Sequence, residues 1–259
     1  MNSPRVSVIM PVHNAARTLG QSVRSVLAQS YQDWELLITD DGSTDDSWQL
    51  LTDFAQSDQR IKPQRSDIAG GAAKARNLAI GRAQGQWVAF LDSDDLWLAE
   101  KLSEQLEFST ATRAALTFTA YYKVAPDFAG DAVDFRPNGR IIKARDAVSY
   151  RLMTRADYIG CLTAMYDREQ VGTQLMPQLR KRQDYALWLQ ILRDGGVARG
   201  MAQPLALYRE PRPGSLSSNK LSLVKYNWRL WRQIEGLSVP QSALALATTT
   251  LRSIRNGRI

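Results

Sequence analysis

Trp87-Val88-Ala89-Phe90-Leu91-Asp92-Ser93-Asp94-Asp95 decides the reading of this chain: an apolar run that closes on three aspartates in four positions. Bare carboxylates repel one another, so a strand ending in this way either leaves its acids in solvent at a turn or uses them to hold something positive. Hard cations such as Mg2+ and Mn2+ prefer oxygen ligands and often take one or two protein carboxylates, with phosphates and waters filling the shell. The cluster therefore points to a metal shared with a phosphorylated substrate. Taken alone it fits equally an acidic turn that places Asp94 or Asp95 near the N-terminus of the helix expected over residues 101–110, favourable for its dipole.

Outward from this stretch the chain alternates between two periodicities. Residues 6–10 form a β-branched run, and residues 18–29 set Leu19, Val23, Val26 and Leu27 at helical spacing. A second strand over 34–39 closes on Asp40-Asp41-Gly42-Ser43, after which Thr44 or Asp45 can cap a helix carrying Trp48, Leu51 and Phe54. A weak strand over 61–65 is followed by Gly70-Gly71 and a helix over 72–83, and Gly85 punctuates before the strand at 87–91. Alternation of this kind predicts right-handed βαβ units, a mainly parallel sheet and a ligand site beyond the carboxyl ends of its strands. Two of those ends are acidic. Further on, a strand is expected over 115–124, a Gly-, Pro- and Asp-rich loop over 126–139, a short helix over 147–153, a short strand over 160–166 and a buried helix over 184–192 that ends at Gly195-Gly196.

Composition narrows the function classes. At 259 residues and 44% hydrophobic content the chain can bury a core without staples, and its one cysteine, Cys161, excludes an intramolecular disulfide. A reducing, cytoplasmic setting is the expectation. Residues 1–5 show no signal-peptide pattern, and no apolar stretch reaches the roughly 20 residues of a membrane span. The net charge of +7 suits an anionic partner without choosing among nucleotide, nucleic acid and anionic membrane. No G-x-G-x-x-G follows the first strand and no phosphate-cradling G-x-x-x-x-G-K-[ST] is present, which sets aside dinucleotide dehydrogenases and P-loop enzymes. A single histidine, His13, and a single cysteine leave no zinc cluster.

In order and spacing, Val6-Ser7-Val8-Ile9-Met10-Pro11-Val12-His13-Asn14, then Ile38-Thr39-Asp40-Asp41-Gly42-Ser43-Thr44-Asp45, Ala75-Arg76-Asn77 and Phe90-Leu91-Asp92-Ser93-Asp94-Asp95 closely resemble family 2 glycosyltransferases of the GT-A fold. The resemblance resumes at Lys181-Arg182-Gln183-Asp184-Tyr185-Ala186-Leu187-Trp188, at Leu207-Tyr208-Arg209 and at Gly214-Ser215-Leu216-Ser217. It implies an α/β fold with a Rossmann-like nucleotide-binding sheet flanked by helices, a nucleotide-diphosphate-sugar donor with a UDP-sugar as the leading choice, Mn2+ or Mg2+ as cofactor, and inverting transfer to an acceptor hydroxyl. Residues 1–220 would form the transferase domain, with 1–112 binding nucleotide-sugar and 113–220 supplying acceptor contacts and base; 221–259 would be a basic, amphipathic helical tail.

The same resemblance assigns roles. Pro11, Val12, His13, Asn14 and Asp41 would line the nucleotide pocket, with Asp40 left to the turn. Arg76 would meet the diphosphate or the acids around the metal, and Asp92, Ser93 and Asp94 would form the D-x-D motif, Asp92 and Asp94 holding the metal with Asp94 the more direct ligand. Asp95 would cap a helix. Asp184 would be the general base, although the family's Glu-Asp pair reads Gln183-Asp184 here, so the first acid is missing. Arg209 and the loop 212–218 would close over donor phosphates. By analogy with bacterial members the expected pathway is O-antigen, capsule or exopolysaccharide assembly, with a saccharide acceptor that can be lipid-linked. The non-enzymatic alternative is a sugar-nucleotide-binding protein with a degraded site. Nucleic acid is disfavoured as a partner because the acids gather at the expected cleft. In the tail, Trp228 and Trp231 alternate with Lys225, Arg229 and Arg232, and Arg252, Arg255 and Arg258 follow. That pattern fits a helix on an anionic membrane, at the inner face of the plasma membrane, and fits equally a helix packed on the domain with a solvated basic face.

Overall fold

The computed structural model describes residues 4–137, 140–210 and 220–255. Its first half is the alternation expected: β1 (Val6–Val12), α1 (Ala16–Leu27), β2 (Trp34–Asp41), α2 (Ser47–Ser57), β3 (Ile61–Ser66), α3 (Ala72–Ile80) and β4 (Trp87–Phe90). β1, β2 and β4 are buried along nearly their whole length, as parallel strands covered on both faces must be. β3 is the edge strand and carries Pro63, whose missing N–H does least harm there.

The second half comprises β5 (Leu96–Trp97), α4 (Lys101–Thr112), β6 (Leu116–Val124), β7 (Ile141–Ile142), β8 (Ala147–Ser149), α5 (Tyr150–Met153), β9 (Met165–Asp167), α6 (Arg168–Val171), α7 (Gln183–Leu192), β10 (Val197–Arg209), α8 (Lys220–Arg229) and α9 (Val239–Arg255). The strands join in one sheet of order β3-β2-β1-β4-β9-β6-β10-β5, with β7 beside β6 and β8 beside β10. β3, β2, β1 and β4 run parallel, β9 is antiparallel to both β4 and β6, and β10 is parallel to β6. The sheet is thus mixed: β3, β2, β1 and β4 are parallel as expected, and beyond them only the β6–β10 pair is parallel.

Alternate side chains along the strands feed two cores, as the pleat requires. Val8, Met10, Leu36, Ile38, Ala89 and Leu91 pack with α1, α2 and α4 on one face. Ile9, Leu37, Val88 and Phe90 pack with α3 and α7 on the other, where Phe90 meets Trp188 edge-on at 5.5 Å.

Four expectations are corrected. Residues 147–153 are a strand followed by one helical turn, because Val148 pairs with Ala198 of β10. Residues 160–166 begin as a 3-10 turn, Cys161–Thr163, and only then enter β9. β10, a 13-residue strand, was not foreseen; its register shifts on either side of Pro204, which erases the two-residue alternation by which a strand is recognised. Asp95 caps nothing: β5 intervenes, and α4 starts at Lys101 behind Glu100.

Candidate active site

β2, β1 and β4 lie side by side, so the segments leaving their C-terminal ends meet. The strand order reverses between β1 and β4, which is where ligands enter open α/β sheets. Asp41, His13 and Asn14, and the turn 92–95 all issue from this edge.

The Asp-Gly-Ser segment is built into the start of α1. Ala15 lends that helix no side-chain cap. Its orphan N–H groups are satisfied from across the cleft: Ala15 N–H donates to Ser47 Oγ at 2.8 Å and Ala16 N–H to Asp45 Oδ2 at 3.0 Å. Asn14 takes a left-handed φ of 50°, which asparagine tolerates, donates its N–H to Ser43 Oγ at 2.9 Å and accepts from Thr44 N–H at 2.8 Å. His13 Nδ1 donates to the Asp41 carbonyl at 2.9 Å and its ring is exposed. Val12 is buried in the sheet, leaving Pro11, His13 and Asn14 as the accessible members of that segment.

Asp40 and Asp41 make different contacts. Asp40 accepts from Ser43 N–H at 3.2 Å inside the turn and faces Arg65 at 3.3 Å. Asp41 gives one carboxylate oxygen to Gly70 N–H at 2.8 Å and the other to Gly71 N–H at 2.7 Å. It therefore pins the loop entering α3. Gly71, at φ 87°, needs its lack of a Cβ for that turn.

α3 then supplies two consecutive residues with separate tasks. Arg76 is 4% exposed and pairs with Asp92, yet its Nε and Nη1 find no partner among the described residues. Burial works against its charge, but Asp92, Cys161 and Asp184 outweigh that and hold the guanidinium more firmly protonated. Asp92 and Asp184 thus act on one cation although 92 positions separate them in the chain. Asn77 donates Nδ2–H to the Met176 carbonyl and accepts from Met176 N–H, both at 2.8 Å, and so fixes the approach to α7. Asp184 stands in the first turn of α7, partly exposed, while Arg182 before it adopts φ 70° to make the corner.

In the acidic turn Asp94 and Ser93 reach solvent, whereas Asp95 is 3% exposed. Desolvation in the recess and the neighbouring Asp92 raise the Asp94 carboxyl to about 6. Burial, then Asp94 and Asp92, push Asp95 well above the usual carboxylate range. Asp95 Oδ1 accepts Arg209 N–H at 2.9 Å, and Arg209 Nε donates to the Asp94 carbonyl at 2.8 Å. Arg209 also donates to the Phe128 carbonyl and, at 3.0 Å, to Gln21 Oε1. Its guanidinium is spent on bracing the turn against α1 and the 126–135 loop. The rest of the expected phosphate loop, 212–218, and the Gly214-Ser215-Leu216-Ser217 segment lie outside the described residues, as does Arg258.

Three residues to which sequence reasoning assigned no role in the site lie near these charges or near one another. Tyr121 and Tyr208 meet edge-on at 5.9 Å, and the Tyr208 phenol is raised by burial and by Asp95, Tyr121, Asp94 and Asp92. Cys161 is partly exposed, and its thiol is pushed up by burial against the lowering effect of Arg76. Asp92 and Asp94, two carboxylates that reach solvent just beyond β4, offer hard oxygen donors that fit a divalent cation sharing its shell with a phosphorylated ligand. No third carboxylate, histidine or cysteine joins them in a closed cage among the described residues.

A family model described as glycosyl transferase family 2 matches residues 7–168. The chain belongs to that family. This glycosyltransferase is 44% identical over 234 residues, 90% of either chain, to a putative teichuronic acid biosynthesis glycosyltransferase, TuaG, of Bacillus subtilis. It is 35% identical over 88% of its length, and 85% of the relative's, to the Escherichia coli UDP-Glc:alpha-D-GlcNAc-diphosphoundecaprenol beta-1,3-glucosyltransferase WfgD. Its fold is GT-A: S. aureus TarS 1-349, solved in complex with UDP-GlcNAc, superposes with a TM-score of 0.71 at 18% identity, over 97% of this chain and 73% of that one. The family match and relatives named as glycosyltransferases set aside the non-catalytic alternative.

Proposed function

We propose that this glycosyltransferase moves a sugar, with inversion, from a UDP-sugar to a hydroxyl of a lipid-linked saccharide, with Asp184 as general base. The observation that supports the reading is the ion pair of the buried Arg76 with Asp92, with Asp184 acting electrostatically on the same guanidinium. The donor class and the lipid-linked acceptor follow the name of the WfgD relative.

The exposed edge formed by Pro11, His13, Asn14 and the Asp41 loop would receive the nucleoside. Arg76 would offer its unpartnered Nε–H and Nη1–H to diphosphate oxygens, the oxyanions a guanidinium matches best. Asp92 and Asp94 would hold Mn2+ or Mg2+, whose charge offsets that growing on the departing nucleotide. Across the recess Asp184 takes the proton of the acceptor hydroxyl as its oxygen bonds to the anomeric carbon and the bond from that carbon to the diphosphate breaks. An acceptor of this class sits in a membrane, so the reading includes contact with the anionic membrane face.

The test is a panel of UDP-sugars with a diphosphopolyprenol-linked saccharide, scored by product and by UDP release, with Mn2+ and with chelator. Asp184→Asn should lower transfer about a hundred- to ten-thousandfold while leaving donor affinity within about twofold. Transfer at the parent rate by that variant would place the base elsewhere.

A further inference from the structure

The tail is two surfaces. Leu230 and Trp231 are fully buried, and Trp231 meets Tyr185 of α7 edge-on at 5.8 Å, so this part of the tail is core. α9 presents Ser242, Ala245 and Thr249 to the protein, at positions i, i+3 and i+7. The opposite side holds Pro240, Ala243, Leu244, Ala247 and Leu251, all exposed, with Leu244 and Leu251 each 67% accessible. A helix facing water on one side ordinarily carries charge there. Residues 236–251 contain none.

The segment that carries this face is cationic in sequence. Residues 220–259 include seven lysines and arginines against one acid, Glu235. The Glu235 side chain is fully covered and neutralised locally, accepting from Arg193 at 2.9 Å and from the Tyr150 hydroxyl at 2.5 Å. Lys225 and Arg229, on the helix that packs against α9, are exposed, and Arg252, Arg255 and Arg258 follow Leu251 in the sequence. A charge-free apolar helix face next to a helix with exposed Lys225 and Arg229, in a segment whose one acid is neutralised, is the complement of an anionic bilayer, whose acyl boundary takes the leucines and whose headgroups take the cations.

We propose that the Leu244, Ala247 and Leu251 face of α9 is the membrane-docking surface of this enzyme and that its ligand is an anionic lipid bilayer. The proposal rests on the membrane-facing reading above and adds which surface makes the contact. The same helix bundle holds Tyr185, the residue after the proposed base, so docking there sets the acceptor side of the catalytic recess at a fixed orientation to the lipid.

Flotation of the full-length protein tests it, with vesicles of phosphatidylcholine alone and with about 30% phosphatidylglycerol. The parent protein should float with the anionic vesicles and not with the neutral ones. Leu244→Glu combined with Leu251→Glu should lower vesicle-bound protein about tenfold or more. Ala111→Glu combined with Thr112→Glu, on exposed positions of α4, changes the net charge equally and should leave flotation as in the parent. Parent-like flotation by the leucine variant overturns this surface while membrane contact stands. A parent that does not float overturns both. Light scattering that shows a parent dimer and a monomeric leucine variant assigns the face to a second copy and also overturns the proposal. Transfer to the lipid-linked acceptor in detergent, which needs no bilayer, reports on the proposed reaction separately and should be within about twofold for all three proteins.

Discussion

At the scale of single residues the recess is a set of carboxylates held apart by one arginine. Asp94 is the member whose proton matters. Its carboxyl titrates near 6, so below that pH a proton competes with a cation for the same oxygen, and above it the site is free. Apparent Mn2+ affinity, measured by calorimetry in the presence of UDP, should be level above about pH 7 and fall about tenfold per unit below pH 6. Asp94→Asn should remove both the affinity and its pH dependence. Asn77, the next residue after Arg76, is a candidate positioning residue. With both amide atoms on Met176, it sets where the chain turns into α7 without touching the recess. Asn77→Ala leaves the Met176 N–H and C=O without their partner, so we expect a loss of about 1–3 kcal/mol in stability. If it acts by setting Asp184, kcat falls about tenfold or more while donor KM stays level, and Asn77→Asp, which keeps one of the two hydrogen bonds, recovers part of the rate.

At the scale of elements, the parallel half was readable because buried parallel strands are continuous apolar runs and their helices repeat at 3.6 residues, two signals that do not interfere. Asp40, Asp41, Asp92 and Asp94 stand out in the sequence because each lies within three residues of the end of such a run. β10 does not, since its bulges beside Pro204 hide the alternation and its partner β6 lies some eighty residues earlier. Asp95 was misassigned for a related reason: a two-residue strand, β5, carries no periodicity, and only its pairing with Ala206 and Leu207 shows that the chain runs on before α4 begins. Tyr121 and Cys161 join the recess through long-range sheet order that local pattern does not encode. The α4 element also contains a residue that violates burial rules. Lys101 is fully buried, lies 3.6 Å over the Trp97 ring and has no hydrogen-bond partner for Nζ among the described residues. Burial lowers its pKa well below the ordinary lysine value. The folded state then binds this proton less tightly than the unfolded chain does, so stability rises with pH from the folded pKa up to about 10.4. Lys101→Met keeps the volume and removes the buried charge. Thermal melts should show it more stable than the parent by about 1–3 kcal/mol near neutral pH, with the advantage shrinking toward pH 10.

At the scale of the molecule, a chain of net charge +7 nevertheless gathers Asp92, Asp94 and Asp95 in one turn at the C-terminal end of β4, where the proposed donor would bind. Under the proposed reading a cation would intervene: the overall charge would favour the approach of the nucleotide, and the acids would accept its diphosphate with a metal between. The second molecular feature is that the C-terminal helices belong to the catalytic half. Trp231 fills the space beside Tyr185, whose hydroxyl donates to the Met153 carbonyl, and Glu235 bonds Tyr150 and Arg193, so α5, α7 and the tail form one packed unit. A tail serving only as an anchor could be truncated without effect on chemistry in solution; this one could not. Trp231→Ala opens a cavity against the helix that begins with Gln183 and Asp184, and should cost about 3–5 kcal/mol in chemical denaturation. Because the cavity lies behind Tyr185 and not in the nucleotide edge, UDP affinity should stay within about twofold while kcat in detergent falls, and Trp231→Phe, which keeps an aromatic against Tyr185, should retain most of both. An alanine variant that loses stability but transfers sugar at the parent rate would show that the tail supports the fold without holding Asp184 in place.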